Sequence, residues 1–123
     1  MTGYSPAETA RRSGFSLDTL RYYERIGLLA GIGRTSGGQR VFTDEDLGWL
    51  ELFRCLRDTG MPIAQMCRYA DLAREGEHTI RERQELLERH AATVEEQMRL
   101  LDRQYAHLRA KIRYYESLPT VDA

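Results

Sequence analysis

Four residues on one short segment carry the chemistry most suited to recognition. Between Ser16 and Leu29 the chain reads SLDTLRYYERIGLL. On the side away from its apolar positions, Thr19, Arg21, Tyr22 and Arg25 offer hydroxyls and guanidinium forks. Such groups meet phosphate oxygens and guanine edges. A second kind of chemistry lies in two thiols. Cys55 sits in the string FRCLRDTGM between Arg54 and Arg57, and a thiolate near cations is the reactive form of cysteine. Adjacent residues on a helix do not face one another, however. On a mostly buried helix Cys55 is equally a small hydrophobe. Cys67 falls on an apolar face and reads as core. Two cysteines are too few for a disulfide scaffold and fit a reducing cytoplasm. His78, His90 and His107 are too widely spaced to form a compact metal site on one helix.

The elements that would position these groups follow from local signals. Ser16 predicts a helix cap. Leu17, Leu20 and Tyr23 (or Glu24) then recur at helical spacing, and Gly27 stops the helix. Upstream, Ser5 caps, Pro6 takes the first helical position and Glu8 is placed to complete a capping box. That helix runs to about Arg12 and ends at Ser13-Gly14. Two short helices about a tight glycine turn predict a helix-turn-helix. Ala30 to Gly38 reads as loop, with Gly37-Gly38 as a two-residue turn into a small hairpin through Phe42. Thr43-Asp44-Glu45-Asp46 starts a helix that continues to about Thr59. Met61-Pro62 starts another, with Ile63, Met66, Cys67 and Ala70 as its apolar face and Gly76 as its end.

The last segment carries a heptad repeat. Ile80, Leu87, Val94, Leu101, Leu108 and Tyr115 recur every seventh residue, and Gln84, Ala91, Met98, Tyr105 and Ile112 fill the other seam position. A helix over this stretch would be ~60 Å long, and so narrow a stripe needs a partner, most simply a second copy. The pattern leaves the direction of the strands open. The expected fold class is all-α with a small β wing: a winged helix-turn-helix followed by a long coiled-coil dimerisation helix. Residues 1–76 form the DNA-binding domain, 77–118 the dimerisation helix and 119–123 a tail. Ile80, Leu87, Val94, Leu101 and Leu108 are its dimerisation residues.

Composition restricts the choices further. The formal net charge is −1, so nucleic-acid binding must rest on local clustering. Lys111 is the only lysine. No apolar run is long enough for a membrane span and no signal peptide is seen, which leads to the expectation of a cytoplasmic protein.

The string S-x-x-T-x-R-Y-Y-E-x-x-G-L-L resembles the DNA-reading helix of the MerR family of transcription regulators. The resemblance extends over the wing, the T-D-E-D-L helix start, the R-D-T-G-M-P-I connection at Arg57 to Ile63 and the terminal coiled coil. It implies antiparallel pairing of the long helices and binding of a pseudo-palindromic double-stranded promoter. It also implies distortion of an overlong spacer for RNA polymerase, which is recognition through deformation. Ser16, Thr19, Arg21, Tyr22 and Arg25 on the reading helix, with Arg34 and Arg40 on the wing, become the implied DNA contacts. Two positions depart from the family pattern. Gln39 stands for the usual aromatic, and Phe42 stands for the usual tyrosine and cannot hydrogen-bond a phosphate. A cysteine at position 55 resembles the short, aldehyde- and electrophile-responsive branch, in which that thiol is the sensor.

The rival readings have weaker support. Metal-sensing members carry cysteines at the start of the dimer helix and after it, where this chain has His78-Thr79-Ile80 and none beyond Cys67. About five residues follow the coiled coil, so no drug-binding domain is expected. No cofactor and no metal are expected. An enzyme would need a nucleophile and base in one cleft, and the histidines lie far in sequence from either cysteine. A pure coiled-coil scaffold would need neither the Arg-Tyr helix nor the wing. Within the regulator class, the alternative is an effector-independent protein in which Cys55 is inert.

Overall fold

The structure, a computed structural model, describes residues 3–120. The chain falls into two compact units, one ending at Gln84 and one beginning at Glu85.

The first unit opens with helix α1, Pro6–Ser13, and helix α2, Leu17–Arg25. Ser5 Oγ accepts from the Glu8 N–H at 3.1 Å, as its cap position requires. The capping box is only half made. The Glu8 carboxylate is taken by Arg11 and Arg12, and Arg12 chiefly holds it below the usual carboxylate range. Gly14 closes α1 in the left-handed conformation, at φ 79°. The Arg54 guanidinium reaches the space where a side chain at 14 would stand and donates to the Ser13 carbonyl at 3.1 Å. Any larger residue there would evict it. Ser16 caps α2, accepting from the Thr19 N–H at 3.1 Å.

Strands β1, Gly33–Arg34, and β2, Arg40–Val41, pair antiparallel, with Arg34 opposite Arg40. The connection corrects the two-residue turn expected from Gly37-Gly38. Thr35 N–H donates to the Gln39 carbonyl and Gly38 N–H to the Thr35 carbonyl, so the loop has three residues, Ser36 to Gly38. Gly38 alone of the pair has positive φ, 87°. A type I turn followed by a left-handed residue is a common solution for a three-residue hairpin. Tyr4 and Phe42 exchange backbone hydrogen bonds of 2.7 and 2.9 Å beside the hairpin, a pairing with no sequence signal.

Helix α3, Asp44–Asp58, starts on a complete capping box between Thr43 and Asp46. Helix α4, Ile63–Glu75, has Pro62 as its cap residue. Its buried residues are Met66, Ala70 and Leu72, which corrects the expected face. Ile63 is exposed and Cys67 only half-buried, at the margin of the core. Burial pushes the Cys67 thiol pKa up, aided by Asp71. A 3-10 turn, Glu77–Thr79, follows Gly76. The buried Thr79 hydroxyl donates to the Leu72 carbonyl at 2.6 Å and accepts from Arg83 at 3.1 Å.

The core of this unit gathers Phe15, Leu20, Tyr23, Leu28, Leu50, Phe53, Leu56 and Met66. Phe15 meets Tyr23 edge-on at 5.2 Å. Tyr23 is therefore a core residue, and its burial raises the phenol pKa. Phe42 is also fully buried. A side chain of this kind stabilises by roughly 1.5–3 kcal/mol, so packing explains it without any contact to DNA.

Helix α5, Ile80–Glu116, is continuous over 37 residues. In the second unit the heptad seam stands open: Leu101 is 66 % exposed, and Met98, Tyr105, Leu108 and Tyr115 are similarly bare. Among the described residues no helix is long and apolar enough to cross a membrane. The architecture is the expected one: mostly helical, with a two-stranded wing after the helix-turn-helix and a long final helix.

Candidate nucleic-acid interface

Helix α2 presents its polar side as the sequence places it, but several groups are already engaged. Ser16 and Thr19 are occupied with one another: beyond the cap bond, the Ser16 hydroxyl donates to Thr19 Oγ1 at 3.0 Å. Arg21 is well exposed and holds Asp18 one turn back at 3.2 Å. Tyr22 is exposed, and the Arg25 guanidinium lies over its ring at 5.4 Å. A cation at that distance is attracted to the face of the ring.

The wing arginines are tied to α2 by a residue that sequence reasoning missed. Glu24 accepts from Arg34 Nη2 at 3.3 Å and, through its other oxygen, from Arg40 Nε. Arg34 also donates to the Gly38 carbonyl across the hairpin at 3.3 Å. One carboxylate thus fastens both wing strands to the helix. Arg40 is half-buried, whereas Arg34 is exposed.

A groove of about 420 Å³ brings three of the expected residues together. Arg21 lines it from α2, and Arg34 and Arg40 from the wing. Ser5, Pro6 and Ala7, the first turn of α1, form another wall. That wall is the positive end of a helix, which suits an anion. Arg21, Arg34 and Arg40 thus line one concave surface beside a helix N-terminus, a local cationic cluster of a kind suited to an anion in a chain that is slightly acidic as a whole, with Glu24 paired to the two wing arginines.

Cys55 lies on the exposed side of α3. This removes the buried-hydrophobe reading. The two neighbouring cations turn elsewhere. Arg54 and Arg57 both donate to Asp58, which Arg57 chiefly holds below the usual carboxylate range. Arg57 also lies over the Phe15 ring at 4.6 Å. The Cys55 carbonyl accepts from the Thr59 hydroxyl at 2.7 Å, which finishes the helix. Arg74, another residue without sequence signal, donates to the Gly27 and Leu28 carbonyls at 2.7 Å each. It thereby fixes the end of the α2 segment against α4.

Comparison with known proteins agrees with this arrangement. Residues 4–72 match the MerR HTH family regulatory protein domain, and residues 47–111 match the domain described as MerR, DNA binding. An uncharacterized HTH-type transcriptional regulator of Haemophilus influenzae is 40% identical over 113 residues, spanning 92% of this chain and 84% of the relative. The HTH-type transcriptional regulator AdhR of Bacillus subtilis is 34% identical over 96 residues, spanning 78% of this chain and 64% of AdhR. Among solved structures, HiNmlR is described as a MerR family regulator lacking the sensor domain, bound to promoter DNA. It superposes with a TM-score of 0.86 at 39% identity, over 94% of this chain and 91% of HiNmlR. A MerR family regulator of Listeria monocytogenes superposes at 0.87 with 38% identity, over 93% and 86% of the two chains. On that agreement of sequence and fold this chain belongs to the MerR family of helix-turn-helix, DNA-binding transcription regulators.

Proposed function

We propose that the protein is a homodimeric regulator that docks α2 and the wing on each half of a pseudo-palindromic promoter. It distorts the spacer between the halves so that RNA polymerase can use it. The observation that carries this reading is the groove that gathers Arg21, Arg34 and Arg40 beside the first turn of α1. Ser16 and Thr19 hold the start of α2, while Tyr22 and Arg25 extend its contact surface. HiNmlR, with its promoter DNA, is a precedent at 39% identity. In this reading the segment 1–76 is the DNA-binding part and 77–118 the dimerising part; of the segment 119–123, residues 121–123 lie outside the described residues.

Dimerisation through Ile80, Leu87, Val94, Leu101 and Leu108 is supported by the open seam of α5. Its direction is supported by charge. In the first half of α5, Glu82, Glu85, Glu88, Glu95 and Glu96 outnumber Arg81, Arg83 and Arg89. In the second half, Arg99, Arg103, Arg109, Lys111 and Arg113 outnumber Asp102 and Glu116. Antiparallel pairing sets the acidic half of each helix against the basic half of its partner, whereas parallel pairing sets like against like.

Cys55 is proposed as an electrophile sensor. Its exposure on α3 makes it accessible, and AdhR, an HTH-type transcriptional regulator, is a relative. An effector-independent regulator is the second reading, favoured by the engagement of Arg54 and Arg57 with Asp58 rather than with the thiol. Footprinting the protein on DNA upstream of its own gene and its neighbours tests the main proposal. A protected pseudo-palindrome with steep salt dependence is expected. Failure to protect any such site at low salt would remove it.

A further inference from the structure

We propose that Leu17, at the exposed start of α2, reads the 5-methyl group of a thymine in each half of the operator and so is a specificity-determining residue. The proposal rests on the promoter-docking reading above and names one base feature that the docked helix meets.

Leu17 opens α2, and its spacing with Leu20 and Tyr23 places it among the apolar positions of the helix. The structure separates it from them. Leu20 and Tyr23 are each 3 % exposed, whereas Leu17 is 39 % exposed. The packing that steadies the start of a helix does not need it either. With Ser16 as the cap, the residues placed to staple this end are Phe15 and Leu20, and both are buried. Leu17 instead lines the groove that gathers Arg21, Arg34 and Arg40. That arrangement leaves apolar surface in water in the free protein, and removes it from water once an apolar group of the DNA covers it.

Duplex DNA offers few such groups. Phosphates and most base edges are polar. In the major groove the apolar feature is the thymine 5-methyl group, which sets a T·A pair apart from the others. The first turn of the second helix is also where helix-turn-helix proteins contact base edges.

The residues beside Leu17 favour base edges over phosphate. Asp18 follows it, with a side chain 93% exposed, and holds Arg21 at 3.2 Å. Phosphates repel this carboxylate, whereas the amino group of cytosine donates to such an acceptor. Arg21 comes four residues after Leu17, on the same face and ~6 Å further along the axis. At the base-pair rise of about 3.4 Å, the two side chains reach positions roughly two base pairs apart. The start of α2 thus presents an apolar group and a polar pair to neighbouring base edges.

Deoxyuridine in place of thymidine deletes the methyl group and leaves base pairing and charge unchanged. Each thymine of the footprinted operator is replaced in turn, in both halves together, and the duplexes are titrated with wild type and with Leu17→Ala. Circular dichroism checks that the variant folds, as a change at a partly exposed position should allow. At one thymine per half, wild type should lose about four-fold in affinity for each methyl group, the value for one buried carbon, and so about fifteen-fold for the two. Leu17→Ala should bind the thymine operator more weakly than wild type, and should lose less than about two-fold on the same replacement. If no thymine is sensitive to loss of its methyl group with wild type, the assignment is overturned whatever the variant does. It is overturned equally if Leu17→Ala weakens thymine and deoxyuridine operators alike, which is what a purely structural role gives. In both cases the footprint and its salt dependence stand, so the docking reading survives. Absence of any footprint removes both.

Discussion

Replacing Glu24 by glutamine keeps the length of the side chain and removes the charge that Arg34 and Arg40 share. The Arg34 contact is long, 3.3 Å, between side chains 46% and 22% exposed, and such pairs contribute only ~0.2–1 kcal/mol. The Arg40 contact is better shielded, with side chains 29% and 22% exposed, and a hydrogen bond to a charged group there contributes ~1.5–3 kcal/mol. Because glutamine retains an acceptor oxygen, the expected loss of stability is only about 1–2 kcal/mol. The larger effect falls on DNA binding. Two guanidinium groups lose their counter-charge at the edge of the groove. Each additional phosphate neutralised steepens the dependence of log K on log salt by about 0.9, so the slope should steepen by about 1–2. Non-specific duplex should bind more tightly. Operator binding should gain less, because the wing no longer holds its arginines in one geometry, and the ratio of specific to non-specific affinity should fall. Fluorescence anisotropy with operator and scrambled duplexes, between about 50 and 200 mM salt, measures both quantities. A folded variant with wild-type slope and wild-type ratio would refute the role given to Glu24.

Arg21→Ala should weaken operator binding by ~1–3 kcal/mol if the side chain reads a base, or flatten the salt slope by about 1 if it meets phosphate. A folded variant that titrates like wild type at every salt concentration would exclude Arg21 from the interface. Leu101→Asp places a charge in the seam, where burying it unpaired is costly, and should yield a monomer in sedimentation equilibrium. Thr9→Val should raise the urea midpoint, by about 1 kcal/mol of stability, because the Thr9 hydroxyl is buried without a hydrogen-bond partner. A lowered midpoint would show that the hydroxyl contributes to folding. Cys55→Ser should bind the operator as wild type does and lose any transcriptional response to aldehydes. Full induction in that variant would favour the inert-cysteine reading.

What could be read from the sequence were the features whose partners lie within a few residues. The Ser5, Ser16 and Thr43 caps each bond a backbone N–H three positions on, so type and spacing alone specify them. The heptad stripe is visible for the same reason, since every position reports on one helix. The hairpin turn was less determinate. Gly37-Gly38 satisfies both a two-residue and a three-residue connection, and only the pairing of Arg34 with Arg40 decides between them. Distant pairs left no trace. Arg74 bonds a carbonyl 47 positions earlier, and Arg54 one 41 positions earlier, and nothing in the local sequence of either marks the target.

The Glu24 contact is a different case, because the sequence contained the steps that lead to it. Phe42 stands where the family pattern has tyrosine and can only pack, so its side of the strand faces the core. Side chains two apart on a strand share a face, which turns Arg40 inward as well. A half-buried guanidinium needs a counter-charge, since an unpaired one is costly to desolvate. Helix α2 offers two acids, and Asp18, in its first turn, is held by Arg21. Glu24 remains, one residue beyond the buried Tyr23 and so at the edge of the packed face. The wing arginines are thus placed by the same alternation that buries Phe42. Moving Phe42 out of the core should loosen Arg40 as surely as removing Glu24.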